Sequence, residues 1–388
     1  MSSYAVFNPQ RVRSDGATRG IPTGVYPVPT GQRSPALAGL RRFVAEHRLY
    51  YRHGGSEFLK YVMRVNLVAF ENGVGNSCDV ELLKVALTKL GADVTLTQVT
   101  RHARRRRKLL VVRVWSALRR WWSSRLSHTM RRYDVTVMLE HIWPEQAYSG
   151  ARCVVVPNPE FFDRHDQRSL SLVDGVWAKT RCTEALFATR VPVEYIGFDS
   201  VDRLSPEVTR QPTFLHLAGR SRMKGTSLLL SLWARHPTWP TLNVVHSLSN
   251  RASRTDAANI RYYTEYLDDI ALRVLQNQSL YHVCTSETEG WGHYIAEAAA
   301  VGAIVIATDA PPMNELVDEE RGFLIASAPI GKQNLATKYG CNLVALESAI
   351  QRVIGLSTTE QERYSTAARA WFVKNSAEFP ARLSAALR

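Results

Sequence analysis

The sequence predicts an α/β protein in which two doubly wound parallel sheets face each other across a cleft, and three observations predict it. Strand-length apolar runs alternate with helical patterns along most of the chain, which builds parallel sheets through right-handed crossovers. Several of those runs end in glycine-punctuated turns, where an open sheet of this kind presents its crevice. At 388 residues and 45% apolar content, the chain is long for one domain and suits two with sizeable cores.

Residues 1–56 form an N-terminal extension rich in Gly, Pro, Arg and Ser, with one helix-length pattern from Ala36 to Glu46 and no motif. The first domain is expected over residues 57–205. It opens with a buried strand from Val62 to Phe70, then Glu71-Asn-Gly73-Val-Gly75-Asn-Ser-Cys78. A helix from Asp79 to Leu90, closed by Gly91, and a strand from Asp93 to Val99 follow. Strand, Gly-x-Gly and helix let a phosphate approach the backbone, but they equally make a tight structural turn. Cys78 stands where a dinucleotide fingerprint needs its third glycine. Tyr133 to Glu140 is another strand, leaving His141 at its C-terminal end, either facing the crevice or satisfied within the fold. A strand and polar loop recur from Val154 to Glu160, and Val173 to Lys179 repeats the pattern.

The net charge of +14 is concentrated in one stretch. Between Arg101 and Arg132 stand twelve Lys or Arg and no acid, so +14 less 12 leaves +2 for the remainder. Arg104, Arg105, Arg106 and Arg107 lead through Lys108 into Leu109 to Leu126, whose spacing fits an amphipathic helix. Val111, Val114, Trp115, Leu118 and Trp122 share one face, with Arg113 and Arg120 opposite. Charge runs are often solvated faces. Twelve unneutralised cations beside three tryptophans point instead to an anionic contact: a membrane surface, a phosphorylated acceptor or nucleic acid.

Residues 197–212 are polar and aperiodic and read as a linker. The second domain is expected over 213–360, with a C-terminal helix in 361–388. Its first strand, Thr213 to Ala218, leads into Gly219-Arg220-Ser-Arg222-Met-Lys224-Gly225 and a helix from Thr226. Cations between glycines at a strand end are poor core builders and good diphosphate partners. From Tyr281 to Glu315 the chain reads as strand, turn, Ala-rich helix ending at Gly302, strand and loop. The turn points a helix N-terminus at the crevice, a place for a phosphate. Glu289 and Glu297, eight positions apart, have the wrong charge for that ligand but accept hydrogen bonds from hydroxyl groups. The alternative is that Glu289 caps the helix electrostatically and Glu297 lies on its wet face.

Glu289-Gly-Trp-Gly-x4-Glu297-Ala-x-Ala-x-Gly-x-x-Val-Ile-Ala-Thr-Asp resembles the Glu-x7-Glu donor signature of the retaining GT-B nucleotide-sugar glycosyltransferases grouped with family 4. The resemblance is sharp over Leu215 to Leu324 and topological from Val62 to Ile196. It implies the GT-B arrangement and transfer of a sugar, with retention, from a nucleoside diphosphate sugar to an acceptor hydroxyl. Arg220 and Lys224, with Arg222 as substitute in a short loop, would hold the diphosphate with the amides after Gly290. Glu289 would orient the sugar and Glu297 the ribose. Gly73, Gly75, Trp291, Gly292, His293, Asn314 and Glu315 would complete the donor site, and His141 would lie by the donor sugar. The implied catalytic set is therefore Glu289, Lys224, Arg220 and His141. The family's glycines near the sugar are replaced here by Pro311 and Pro312, which have no N–H to give. The resemblance also puts the acceptor on the first domain and brings the last helix back onto it.

No Asp-x-Asp occurs, so protein cations rather than a divalent metal are expected to balance the diphosphate, with no cofactor beyond the donor itself. Cys78, Cys153, Cys182, Cys284 and Cys341 lack Cys-x-x-Cys spacing and read as buried thiols of a reducing compartment. The longest apolar run, Ala298 to Ala307, is half a membrane span. A cytoplasmic protein, peripheral to the inner membrane face through its basic stretch, is expected. The competing class is a nucleic-acid- or membrane-binding protein with a vestigial cleft, against which intact Arg220, Lys224, Glu289 and Glu297 argue. Because Glu289 and Lys224 sit in strand-end loops, replacing either is expected to spare folding.

Overall fold

The computed structural model describes residues 62–70, 75–100, 132–246 and 255–388. Gly73, the basic stretch with Arg104, Arg105, Arg106, Arg107, Trp115 and Arg120, and the helices expected at Ala36 to Glu46 and Leu109 to Leu126 lie outside the described residues.

The first half forms a six-stranded sheet from β1 (Arg64–Ala69), β2 (Asp93–Gln98), β3 (Tyr133–Glu140), β4 (Gly150–Pro157), β5 (Gly175–Ala178) and β6 (Val193–Tyr195), in the order β2-β1-β3-β4-β5-β6. Every pairing in it is parallel. Such strands are covered on both faces, which is why Val65, Leu67, Val68 and Ala69 are all buried, together with Asn66. Among the described residues, three α-helices belong to this half: α1 (Gly75–Lys89), α2 (Arg164–Ser169) and α3 (Arg181–Phe187). The helix α1 begins at Gly75 rather than at Asp79, so Gly75 is helical instead of part of a loop. The N–H groups of a first helical turn have no intrahelical partner, so the turn tolerates the small polar residues that read as loop. The shift carries Asp79 one turn into the helix.

The second half repeats the plan with β7 (Gln211–Gly219), α4 (Thr226–Arg235), β8 (Leu242–His246), β9 (Ile260–Tyr263), α5 (Asp269–Gln278), β10 (Ser279–Cys284), α6 (His293–Ala300), β11 (Ile304–Thr308), α7 (Met313–Leu316) and β12 (Gly322–Ile325). The order is β12-β11-β10-β7-β8-β9, again all parallel. An antiparallel hairpin then follows, β13 (Ser327–Gln333) and β14 (Ala336–Cys341), before α8 (Leu343–Ile354) and the long α9 (Thr358–Ala386).

A capping box at Ser357 and Glu360 starts α9, which leaves the second half and ends on the first. Asn375 Nδ2 donates to Phe198 O (2.8 Å), Arg382 Nε to Ile196 O (3.0 Å), and Arg152 Nη1 to Ala386 O (2.6 Å). Phe379 and Leu383 share a buried cluster with Val80, Leu83 and Leu87 of α1. The first sheet is thus covered partly by the last helix of the chain. The expectation of buried thiols is met at Cys153 and Cys284 and corrected at Cys78, Cys182 and Cys341, which are half-buried.

Candidate active site

The ends of β7 and β10 point toward the first half, and the predicted residues sort into three groups there. Arg220 and Arg222 follow β7, are exposed, and make no hydrogen bond or ion pair among the described residues. Both are available to an incoming anion.

Lys224 is different. It is buried, its Nζ donates to Glu289 Oε1 (2.5 Å), and it lies 3.6 Å from the centre of the Tyr294 ring. Ser286 Oγ also donates to Glu289 Oε1 (2.5 Å). Burial alone would raise the Glu289 pKa, but the Lys224 ammonium and these hydrogen bonds hold it below the usual range. The expectation that either residue could be changed without cost to folding is therefore corrected. Removing one member of a buried pair strands the other charge, at about 3–5 kcal/mol. The close approach of the two strand ends is permitted by Gly225 (φ 64°), where a Cβ would lie 2.4 Å from Thr285 O.

The rest of the signature holds the two halves together. Gly290 packs on the loop after β4 so closely that a Cβ would meet Asn158 Oδ1 at 2.2 Å. Trp291 is buried, with Nε1 donating to Ser200 Oγ (3.1 Å). Gly292 (φ 101°) occupies the N-cap of α6, a backbone state that favours glycine. His293 bridges the halves: Nε2 lies 2.7 Å from Asp79 Oδ1 and Nδ1 2.9 Å from Ser200 Oγ. Asp79 in turn accepts from Lys179 Nζ (2.9 Å). Its burial works against the charge, but Lys179 and His293 overcome it and depress the pKa.

Glu297 is 2% exposed, which corrects the wet-face alternative. Its Oε2 accepts from Gln276 Nε2 (2.9 Å) and lies 3.2 Å from Arg203 Nε. Asn314 donates to Asp309 Oδ1 (3.1 Å). Glu315 accepts from the backbone of Arg181 (2.7 Å) and Cys182 (2.8 Å), capping α3 of the first half from α7 of the second. His141 Nδ1 is 2.9 Å from Asp166 Oδ2, whose other oxygen accepts from Ile142 N.

The residues that sequence reasoning missed are mostly partners. Asp79, Lys179, Arg203, Ser200 and Gln276 sit tens to hundreds of positions from what they hold, and no local spacing announces them. Glu160, after β4, is also new: it is buried and its Oε2 has no hydrogen-bond partner among the described residues. Burial, together with the nearby Glu289 charge, pushes its pKa up to about 7.

Comparison with known proteins agrees with this geometry. Residues 202–338 match the profile of the family described as glycosyl transferases group 1. No curated protein matches the chain by sequence. A glycosyltransferase from Rickettsia africae superposes with a TM-score of 0.58 at 14% identity, over 84% of this chain and 98% of that one. Anabaena HepE in complex with UDP and glucose gives 0.58 at 15%, over 84% and 99%. A sucrose-phosphate synthase from Thermosynechococcus elongatus gives 0.53 at 15%, over 83% and 94%. Identities this low speak for the fold, which is the two-domain GT-B arrangement.

Proposed function

Residues 202–338 being a group 1 glycosyl transferase segment set in a GT-B fold, we propose that the chain transfers a sugar, with retention, from a nucleoside diphosphate sugar to an acceptor hydroxyl. The observation that carries the reading is the second sheet's C-terminal edge, where exposed Arg220 and Arg222 stand on the same rim as the Lys224–Glu289 pair and the N-terminus of α6. That the Anabaena neighbour was solved in complex with UDP and glucose supports a nucleotide and a sugar as ligands.

In the reaction, the bond from the sugar's anomeric carbon to the diphosphate breaks and its electron pair leaves on the diphosphate. The acceptor oxygen bonds to the same face of that carbon, and the acceptor's proton passes to the departing diphosphate. Arg220, Arg222 and the first amides of α6 are placed to stabilise the leaving charge. Glu289, held ionised by Lys224, orients hydroxyls of the sugar. The acceptor carries an anionic portion for the cationic stretch from Arg101 to Arg132, in a cytoplasmic or membrane-peripheral setting.

The test is a panel of nucleotide sugars, scored for slow hydrolysis and for thermal stabilisation. With the donor so identified, Arg220→Ala combined with Arg222→Ala is expected to lower turnover by about 10²–10³ and leave the melting temperature unchanged, because both side chains are exposed. Turnover within threefold of the parent would sink the assignment. Turnover is also expected to persist in EDTA. Loss restored by added Mg²⁺ would replace the protein cations with a metal.

A further inference from the structure

A cavity of about 330 Å³ lies between the two halves beside Glu289. It is lined by Ala185 and Leu186 of α3, by Pro312, and by Leu335, Thr337 and Tyr339 of the hairpin. The hairpin is fixed across the gap. Leu335 N donates to Pro159 O (3.1 Å) and Asn334 Nδ2 to Glu160 O (2.7 Å), while Tyr339 N donates to Glu287 O (2.8 Å). Lys338 Nζ also pairs with Glu287 at 2.6 Å.

Among the lining residues Glu289 alone is charged, and Lys224 already neutralises it. A second charge entering the cavity finds no counter-ion among its lining residues, and an anion would also face the Glu289 carboxylate; burying a charge unpaired is strongly unfavourable. Hydroxyl groups meet a different surface. Thr288, Thr337 and Tyr339 offer hydroxyls, and Pro312, Leu186 and Leu335 offer apolar faces for the C–H side of a ring. The volume falls in the range of about 300–1,000 Å³ found for small-molecule sites.

We propose that this cavity takes an uncharged sugar ring, excluding uronic acids and phosphosugars, and that hairpin β13–β14 is its specificity element. The inference rests on the cleft being a nucleotide-sugar site. The ring belongs either to the donor or to the acceptor, and the two sources share this chemistry.

Calorimetric titration of the full chain with UDP, GDP, ADP, CDP and dTDP comes first. If none binds, the nucleotide-sugar reading itself fails. For the nucleotide that binds, its glucose and galactose conjugates are compared with the corresponding uronates. With the nucleotide saturating, methyl glucoside and galactoside are compared with their uronates. Neutral rings are expected to bind at least about tenfold more tightly. Preference among the conjugates assigns the cavity to the donor; preference confined to the methyl glycosides assigns it to the acceptor. Ala185 is exposed on the cavity side of α3, so Ala185→Trp fills space without disturbing a core. This variant is expected to abolish the preference while leaving nucleotide affinity within twofold. Nucleotide binding with uronates accepted as well as neutral rings in both arms overturns the inference, as does preference unchanged in Ala185→Trp.

Discussion

Two buried carboxylates, Glu289 and Glu160, show how differently neighbours can treat the same group. Glu289 has an ammonium against it and stays ionised; Glu160 has an oxygen with no hydrogen-bond partner among the described residues and titrates near 7. Between its ordinary value of 4.5 and about 7, folded Glu160 keeps a proton that the unfolded chain has lost. Stability therefore falls as pH rises through that window and stays lower above it. Glu160→Gln is expected to match the parent near pH 4 and to exceed it at pH 8, by up to roughly 3 kcal/mol. Urea denaturation at the two pH values measures this, and a difference that does not change with pH refutes it. For the other pair, Lys224→Met and Glu289→Gln should each destabilise by about 3–5 kcal/mol, whereas the double variant should cost less than the sum. Additive effects in the same denaturation series would mean that the pair is not coupled. The sequence made Glu289 and Lys224 legible as chemistry because the strand-end motif is local. It did not reveal their pairing, since 65 positions separate them.

Among the elements, the strands were the most readable. Tyr133–Glu140 has the bounds that its apolar run predicts, and β1, β2, β7 and β11 differ from their apolar runs by at most two residues at either end. Buried parallel strands announce themselves through continuous apolar sequence. The hairpin β13–β14 did not, because Ser327–Gln333 is mostly exposed, contains Pro329, and has no buried face to impose alternation. Its importance comes from what it reaches, the loop after β4. That loop makes a second crossing contact at Gly290, which yields an element-level prediction. Gly290→Ala should displace the loop and lower turnover at least about tenfold, since small misplacements at a site are costly. Asn158→Gly in the same chain should restore most of it by vacating the clash. Failure of this second change to rescue would locate the damage elsewhere.

At the scale of the molecule, the fold class was legible from alternation alone, but the way the halves meet was not. Asp79 with His293, Glu315 with the start of α3, and the hairpin tip with the Pro159 and Glu160 carbonyls all cross between sheets. None is local in sequence. The same is true of α9, whose far end completes the first half's core around α1. A chain ending at Leu356 should therefore lose structure in the first half as well as the second, visible as hydrogen exchange at β1 and β4 amides. Protection there equal to the parent's would show that the first half is self-sufficient. The arrangement also sets an order of events in the cell. A ribosome releases β1 and α1 nearly three hundred residues before it makes Phe379 and Leu383, so the first half emerges early yet waits, with part of its apolar surface uncovered, until α9 has been made. Slowing translation of the codons between β12 and α9 would lengthen that wait, and a chaperone that holds nascent chains would find its target in the half made first.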